Sequence, residues 1–250
     1  MNAQQIDEPH WETPMIRPVT LTALFLFFFA AQSCTKNIAV ADSRSIDGIV
    51  LTSTIDPALT FRPSKEFQFV GDFTMTLKDT ALAERHHWVA TNDNNQIQKL
   101  LIVQFERFLD DVEGEYSFSV PSSEISGSNY KFSPTPVSLG GIGFIHNTWA
   151  LDHAANASER PAMEAAATLA LLKEKGYLID DELIMSRFVQ SFGENNRHEL
   201  IIFYFEPLSS GGKFLKEFPD GGPPSAAFNS YSDAVTTRSL DAFEIVFTAN

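Results

Sequence analysis

The chain alternates apolar and polar residues with period two over much of its length, which is typical of strands with one buried face. The clearest run is residues 67–77, where the odd positions are apolar except Gly71 and the even positions are polar except Val70. This alternation predicts a long strand with Phe69 and Phe73 turned inward. Further strands are predicted at residues 86–90, 100–109, 116–120, 142–150, 198–206 and 243–247.

One helix is predicted from its signals at both ends. Ser158 can cap its first turn, Pro161 lies where a missing N–H costs nothing, and the alanine-rich run 162–172 favours helix propagation. Gly176 can end it with a positive φ.

Two further segments are harder to interpret. Residues 182–192 fit either a helical apolar stripe or a strand, and the turn-like residues 193–196 favour a hairpin with 198–206. Residues 209–233 contain two Gly-Gly pairs and little periodicity, which predicts a long loop.

The pattern as a whole predicts an α+β fold. We expect a curved antiparallel sheet of roughly six to eight strands, curved enough to approach a barrel, with one main helix packed on it. The predicted organisation is a signal peptide at residues 1–34, a polar tether at 35–63 and a single domain at 64–250.

The N-terminal segment predicts export. Arg17 precedes the uncharged and mostly apolar run 19–31, which has the length of a signal-peptide core and is short for a membrane span of roughly 20 residues. The residues before Met15 include three acidic side chains, which oppose insertion, so we expect translation to start at Met15.

Cys34 follows this apolar run directly and is the only cysteine of the chain. Residues 31–34 resemble the lipobox of bacterial lipoproteins, whose cysteine receives the lipid, although Ala31 and Gln32 stand where leucine and a small residue are usual. The resemblance implies a domain anchored to the outer membrane and facing the periplasm. The alternative is cleavage after Ala41 in the signal 39–41, which would release a soluble periplasmic protein.

Composition excludes one class of partner. The 250 residues hold 18 basic and 32 acidic side chains, a formal charge of −14, which repels nucleic acids. The membrane, through the lipid, is the predicted partner, and the oligomeric state stays open. No phosphate loop, nucleophile elbow or spaced zinc pair is found, so neither a metal nor a cofactor is predicted.

Candidate site residues are polar side chains inside apolar strands, where a charge is costly unless it is paired. Such residues either line a ligand cavity, form structural ion pairs, or lie at exposed strand ends. The candidates are His87, Glu106, Arg107, His146, Arg187, Tyr204 and Glu206.

Three functions remain open at this point. The preferred one is non-enzymatic, a binding or scaffolding module for an apolar small molecule. The alternative is a hydrolase or isomerase that uses general acid–base chemistry through Glu106, His87, His146 or Tyr204 in a cleft of the sheet. The third is an assembly subunit that pairs through an exposed strand edge.

The lipobox interpretation makes a direct prediction for Cys34→Ala. A lipid adds about 0.8 kcal/mol of membrane affinity per buried methylene, so its loss should move the protein from the membrane fraction to the aqueous periplasmic fraction. Detergent phase partitioning followed by immunoblotting measures this. Unchanged partitioning of the variant, or a mature N-terminus at Asp42, would contradict it.

Overall fold

A computed structural model describes residues 43–118 and 120–248. The predictions made for the signal peptide, the start at Met15 and the lipidation of Cys34 lie outside these residues. None of the helices in the described segments is long and apolar enough to cross a membrane.

Antiparallel strands dominate the described residues. They form one sheet of nine strands and one of four. The strands are β1 (Arg44–Asp47), β2 (Val50–Ser53), β3 (Leu59–Pro63), β4 (Gln68–Leu77), β5 (Ala81–Thr91), β6 (Ile97–Phe108), β7 (Ile125–Ser126), β8 (Tyr130–Phe132), β9 (Val137–Leu139), β10 (Ile142–Asp152), β11 (Glu182–Phe192), β12 (His198–Pro207) and β13 (Phe243–Phe247).

The large sheet has the order β4-β5-β6-β12-β11-β10-β8-β7, with β9 paired to β10. Its end strands β4 and β7 do not pair with each other, so the sheet stays open and the predicted approach to a barrel is not confirmed. The predicted hairpin of 182–192 with 198–206 is confirmed as β11 and β12. The segment 116–118 is not a strand, and Tyr116 packs its ring on Phe108 instead.

The small sheet has the order β1-β2-β3-β13 and packs on one face of the large sheet. Residues 44–63 were predicted to be a tether, and this is wrong for the three strands they form. Leu51, Leu59 and Phe61 are fully buried, because β3 pairs with the distant C-terminal strand β13 and both pack against Trp88 of the large sheet.

Three helices complete the described fold, where one was predicted. They are α1 (His153–Glu159), α2 (Glu164–Glu174) and α3 (Ala226–Asp241).

The predicted single helix is divided between α1 and α2. Arg160 leaves the helical conformation (φ −130°, ψ 64°), as expected for the residue before Pro161. Asp152, not Ser158, caps α1 by accepting a hydrogen bond from Ala155 N at 2.7 Å. Gly176 has the expected positive φ of 81° just after α2.

A bulge in β4 corrects the predicted orientation of Phe73. Phe69 pairs with Trp88, but Gly71 pairs with His87, so Val70 is an extra residue and the alternation reverses. Phe69 packs on Trp88 in the large core, whereas Phe73 stacks on His87 on the opposite face.

The small sheet is an integral part of the core, which Phe61→Ala tests. Phe61 is fully buried against Trp88 and Phe243, with ring centroids 5.6 and 4.9 Å away. Its loss should lower the free energy of unfolding by about 3–5 kcal/mol in a urea melt. The matched control is Val246→Ala on β13, where the side chain is 63% exposed and we expect a change within about 0.5 kcal/mol. If Phe61→Ala lowers the free energy of unfolding as little as Val246→Ala does, residues 44–63 act as a tether and not as part of the core.

Candidate functional site

The large sheet has two different faces. The core face is the one that packs against the small sheet and α3. The opposite face, called the helix-covered face here, packs against α1 and α2. It holds a row of buried or half-buried polar residues from neighbouring strands: Arg85, His87, Gln104, Glu106, Arg187 and Glu199.

Arg85 lies in the middle of this row and is only 4% exposed. Burial lowers its pKa to about 10, against the opposing effect of the Glu164 and Glu106 charges. Its guanidinium lies over the ring of Phe203, 5.3 Å from the centroid. Its Nε is a buried donor that has no hydrogen-bond acceptor among the described residues.

Two carboxyl groups lie directly opposite each other on neighbouring strands. Glu106 of β6 pairs in register with Glu199 of β12, and both are largely buried. Burial and the hydrogen-bonded Glu106 raise the pKa of Glu199 to about 8. Burial also raises the pKa of Glu106, which accepts hydrogen bonds from Gln104 Nε2 and from Tyr116 Oη at 3.2 Å. At neutral pH the pair therefore retains a proton, as two carboxyl groups in close contact do.

Arg187 approaches the pair from β11. Its Nη2 lies 4.0 Å from Glu199 Oε1, and its side chain makes further contacts in the structure. Burial lowers its pKa, while the charges of Glu199 and Glu106 act in the other direction. Arg187 thus partly balances the carboxyl pair and is committed to it.

His87 joins the sheet to α2. Burial, and then the charge of Arg85, lower its pKa well below the usual value, so the ring is neutral. Its Nδ1 donates to Gly71 O at 3.2 Å, which leaves Nε2 to accept from Thr168 Oγ1 at 3.1 Å. With its lone pair occupied, His87 is placed as a structural residue and not as a free base.

The structure puts His146 on the core face, away from Glu106 and His87. Burial lowers its pKa to about 4, and its Nε2 is 2.8 Å from Ser186 Oγ. Ser239 donates to Thr236 O and can accept from Ser186, so Ser186 accepts from His146. In this chain of hydrogen bonds the histidine is a donor, which fixes α3 to the sheet and does not activate the serine.

Tyr204 and Glu206 also lie on the core face. Tyr204 donates to Glu206 Oε1 at 2.6 Å, and Arg238 of α3 binds both oxygens of Glu206 at 2.8 and 2.7 Å. Glu206 thus forms an ion pair within the fold, and its partner Arg238 is not one of the candidate residues predicted from the sequence. Arg107 is half-exposed and lies 3.4 Å from the exposed Asp110.

Sequence reasoning missed Arg85 and Glu199. The predicted strand began at residue 86, one position after Arg85, although the alternation of Ala83, Arg85 and His87 extends the pattern. Glu199 was hidden in the apolar run 198–206, where it was assigned to a hairpin arm and not weighed as a buried charge.

In the described segments, no three His, Cys, Asp or Glu side chains come together as metal ligands would. A scan of protein-family models, a search of curated proteins and a search of solved structures found no match to this chain. The class that fold and site define is an α+β domain with an open antiparallel sheet and a buried charged cluster under two helices.

The carboxyl pair predicts a specific pH dependence of stability. The pKa of Glu199 is raised from the ordinary 4.5 to about 8, so its contribution to stability is complete below pH 4.5 and is lost as pH rises through 8. Glu199→Gln keeps the shape and removes the titration. We expect this variant to unfold at higher urea concentration than the wild type at pH 9, and to match it more closely at pH 5.

The control for this experiment is Glu244→Gln, which changes an exposed carboxylate on β13. It should leave the pH profile of the urea midpoint unaltered. The buried neutral histidines add their own pH dependence to both proteins, so the comparison uses the difference in urea midpoint between wild type and Glu199→Gln. A difference that does not change in favour of the variant between pH 5 and 9 would contradict the assigned pair.

Proposed function

We propose that this protein is an exported cell-envelope protein, held at the membrane through a lipid on Cys34, whose domain binds a small molecule against the helix-covered face. The N-terminal sequence supports the proposed location, and the site supports the proposed binding role. The ligand that the site favours has a polar end and an apolar body. Aromatic and polar side chains lie beside each other on this face, with Phe73 stacked on the neutral His87 and Phe203 under the charged Arg85.

One observation carries the binding role. Three buried polar atoms at this face have no hydrogen-bond partner among the described residues: Arg85 Nε, Gln104 Oε1 and His153 Nε2. Each such atom costs about 1–3 kcal/mol when it is left unpaired. His153 begins α1 and packs its ring on Phe205, so the three atoms border the same layer between helices and sheet. A ligand that bonds to them would recover this cost, which an apolar core would never incur.

The test is native mass spectrometry of full-length protein extracted from its own membranes. We expect a ligand mass in the native spectrum that disappears on denaturation, because release requires opening of the helix layer. Phe203→Leu should lower the bound fraction, since it removes a ring beside Arg85. The control is Phe214→Leu, which changes a 51% exposed ring outside this face. We expect this variant to bind as much ligand as the wild type.

Absence of any retained ligand, together with no stabilisation by a small-molecule extract of the same cells, would overturn the binding role. If Phe203→Leu and Phe214→Leu lose ligand equally, the ligand does not bind specifically at the helix-covered face.

The carboxyl pair favours a second candidate, an acid–base enzyme. Glu199 keeps its proton near neutral pH while Glu106 lies opposite it, an arrangement that suits proton transfer to and from a bound substrate. Under this alternative, Glu106→Gln and Glu199→Gln both stop conversion of the retained ligand and leave it bound. Under the binding role, the ligand is recovered chemically unchanged from the wild type.

A further inference from the structure

Arg85 and Gln104 lie directly opposite each other on β5 and β6. Arg85 Nε is a buried donor without an acceptor, and Gln104 Oε1 is a buried acceptor without a donor, both judged against the described residues. The two atoms could satisfy each other, yet the structure does not join them. We propose that both bind one ligand, a small carboxylate that carries a hydrogen-bond donor on the carbon next to the carboxylate. This rests on the proposed function, because it names the chemistry of that same ligand.

The carboxylate follows from Arg85. A guanidinium presents its N–H groups as a planar fork that matches the two oxygens of a carboxylate. Within the described residues, no acidic side chain forms an ion pair with Arg85, and Glu164 and Glu106 act on it only through their charges. Its known contact is the ring of Phe203, which binds a cation through its face and leaves the edge donors available.

The adjacent donor follows from Gln104. Its Nε2 donates to Glu106 Oε1, which fixes the amide so that Oε1 is the end without a partner. The side chain is only 1% exposed, so water outside the domain does not supply the missing donor. Opposed residues of antiparallel strands have Cβ atoms about 4.5–5.5 Å apart, so the two side chains leave the sheet side by side and a small ligand with two neighbouring polar groups can contact both.

The surrounding charges favour a carboxylate over a phosphate. Three carboxyl groups surround the site, and each changes the pKa of Arg85 or of one of the others. They belong to Glu106, Glu164 and Glu199. A phosphate dianion would bring two negative charges toward these carboxylates, whereas a carboxylate brings one, which a single guanidinium balances. Arg187 does not add to this balance, since it is engaged with Glu199.

The experiment is thermal unfolding of full-length protein in mild detergent at pH 7, after removal of retained ligand, with matched small probes. Lactate and alanine carry both groups, propanoate lacks the adjacent donor, and lactamide lacks the carboxylate. At about 20 mM we expect lactate or alanine to raise Tm by about 2 °C or more, and propanoate and lactamide to raise it by less than half as much.

Two variants tie the effect to the named side chains. Arg85→Met, which keeps the length and removes the charge, should abolish the rise in Tm and weaken binding at least about tenfold, as loss of a charge-assisted pair does. The control is Arg62→Met, which changes an exposed arginine on β3 and should show the same rise in Tm with lactate as the wild type. In Gln104→Met, lactate should raise Tm no more than propanoate does.

The outcomes separate this inference from the binding role. A retained ligand without a carboxylate, or a rise in Tm with inorganic phosphate alone, would overturn the inference and leave the binding role intact. Equal responses of Arg85→Met and the wild type to lactate would also overturn it. If Arg85→Met fails to fold, the rise in Tm of Gln104→Met with lactate is compared with its rise with propanoate. A larger rise with lactate in this variant would overturn the inference.

Discussion

The central strands of the large sheet are buried on both faces, and the rest of the domain depends on this constraint. β5, β6 and β12 pair along most of their length and carry buried residues at consecutive positions. A sheet of this kind needs a cover on each side, because every exposed apolar residue would cost free energy. The small sheet and α3 supply one cover, and α1 with α2 supply the other. The N-terminal and C-terminal strands therefore meet in β3 and β13, far apart in sequence, to close the same face.

The two covers produce different chemistry. The core face is mainly apolar, and α3 binds several of its polar groups, as in the Glu206–Arg238 pair with Tyr204. Their hydrogen bonds attach the helix to the sheet at defined positions. The helix-covered face instead concentrates two arginines and two glutamates, of which Arg85 Nε has no acceptor among the described residues. Satisfied buried polar groups need no explanation beyond the fold, whereas an unsatisfied one requires a further partner such as a water molecule or a ligand.

The sequence allowed the faces to be predicted, but not the partners across them. Alternation correctly separates His86 from His87 and Glu106 from Arg107, because successive side chains of a strand point to opposite faces. Register depends on which strands pair, and this information is not local. For that reason the opposition of Glu106 and Glu199 could not be read from either strand alone. The bulge at Val70 shows the same limit, since one extra residue moved Phe73 to the other face.

The elements that were missed have a common physical cause. The first half of α3, residues 226–233, was predicted as part of a loop. The buried stripe of the helix is Phe228, Ser232, Val235 and Ser239, and its two serines obscure the apolar periodicity. The strands in residues 44–63 were predicted as a tether because they are short and partly polar, and they become buried only by pairing with one another and with β13. In both cases tertiary contacts override a weak local signal.

Stability alone does not account for the cluster on the helix-covered face. Replacing a buried ion pair by apolar residues of similar volume is often neutral or stabilising, so a domain under selection for stability alone would fill this layer with aliphatic side chains. This chain has abundant apolar material, including 22 Phe, and places Phe203 and Phe205 beside the charges. The charges are therefore not the result of a shortage of apolar residues. A ligand that completes the hydrogen bonds of Arg85 and Gln104 gives the cluster a use that offsets its cost, and function is where proteins most often accept such a cost.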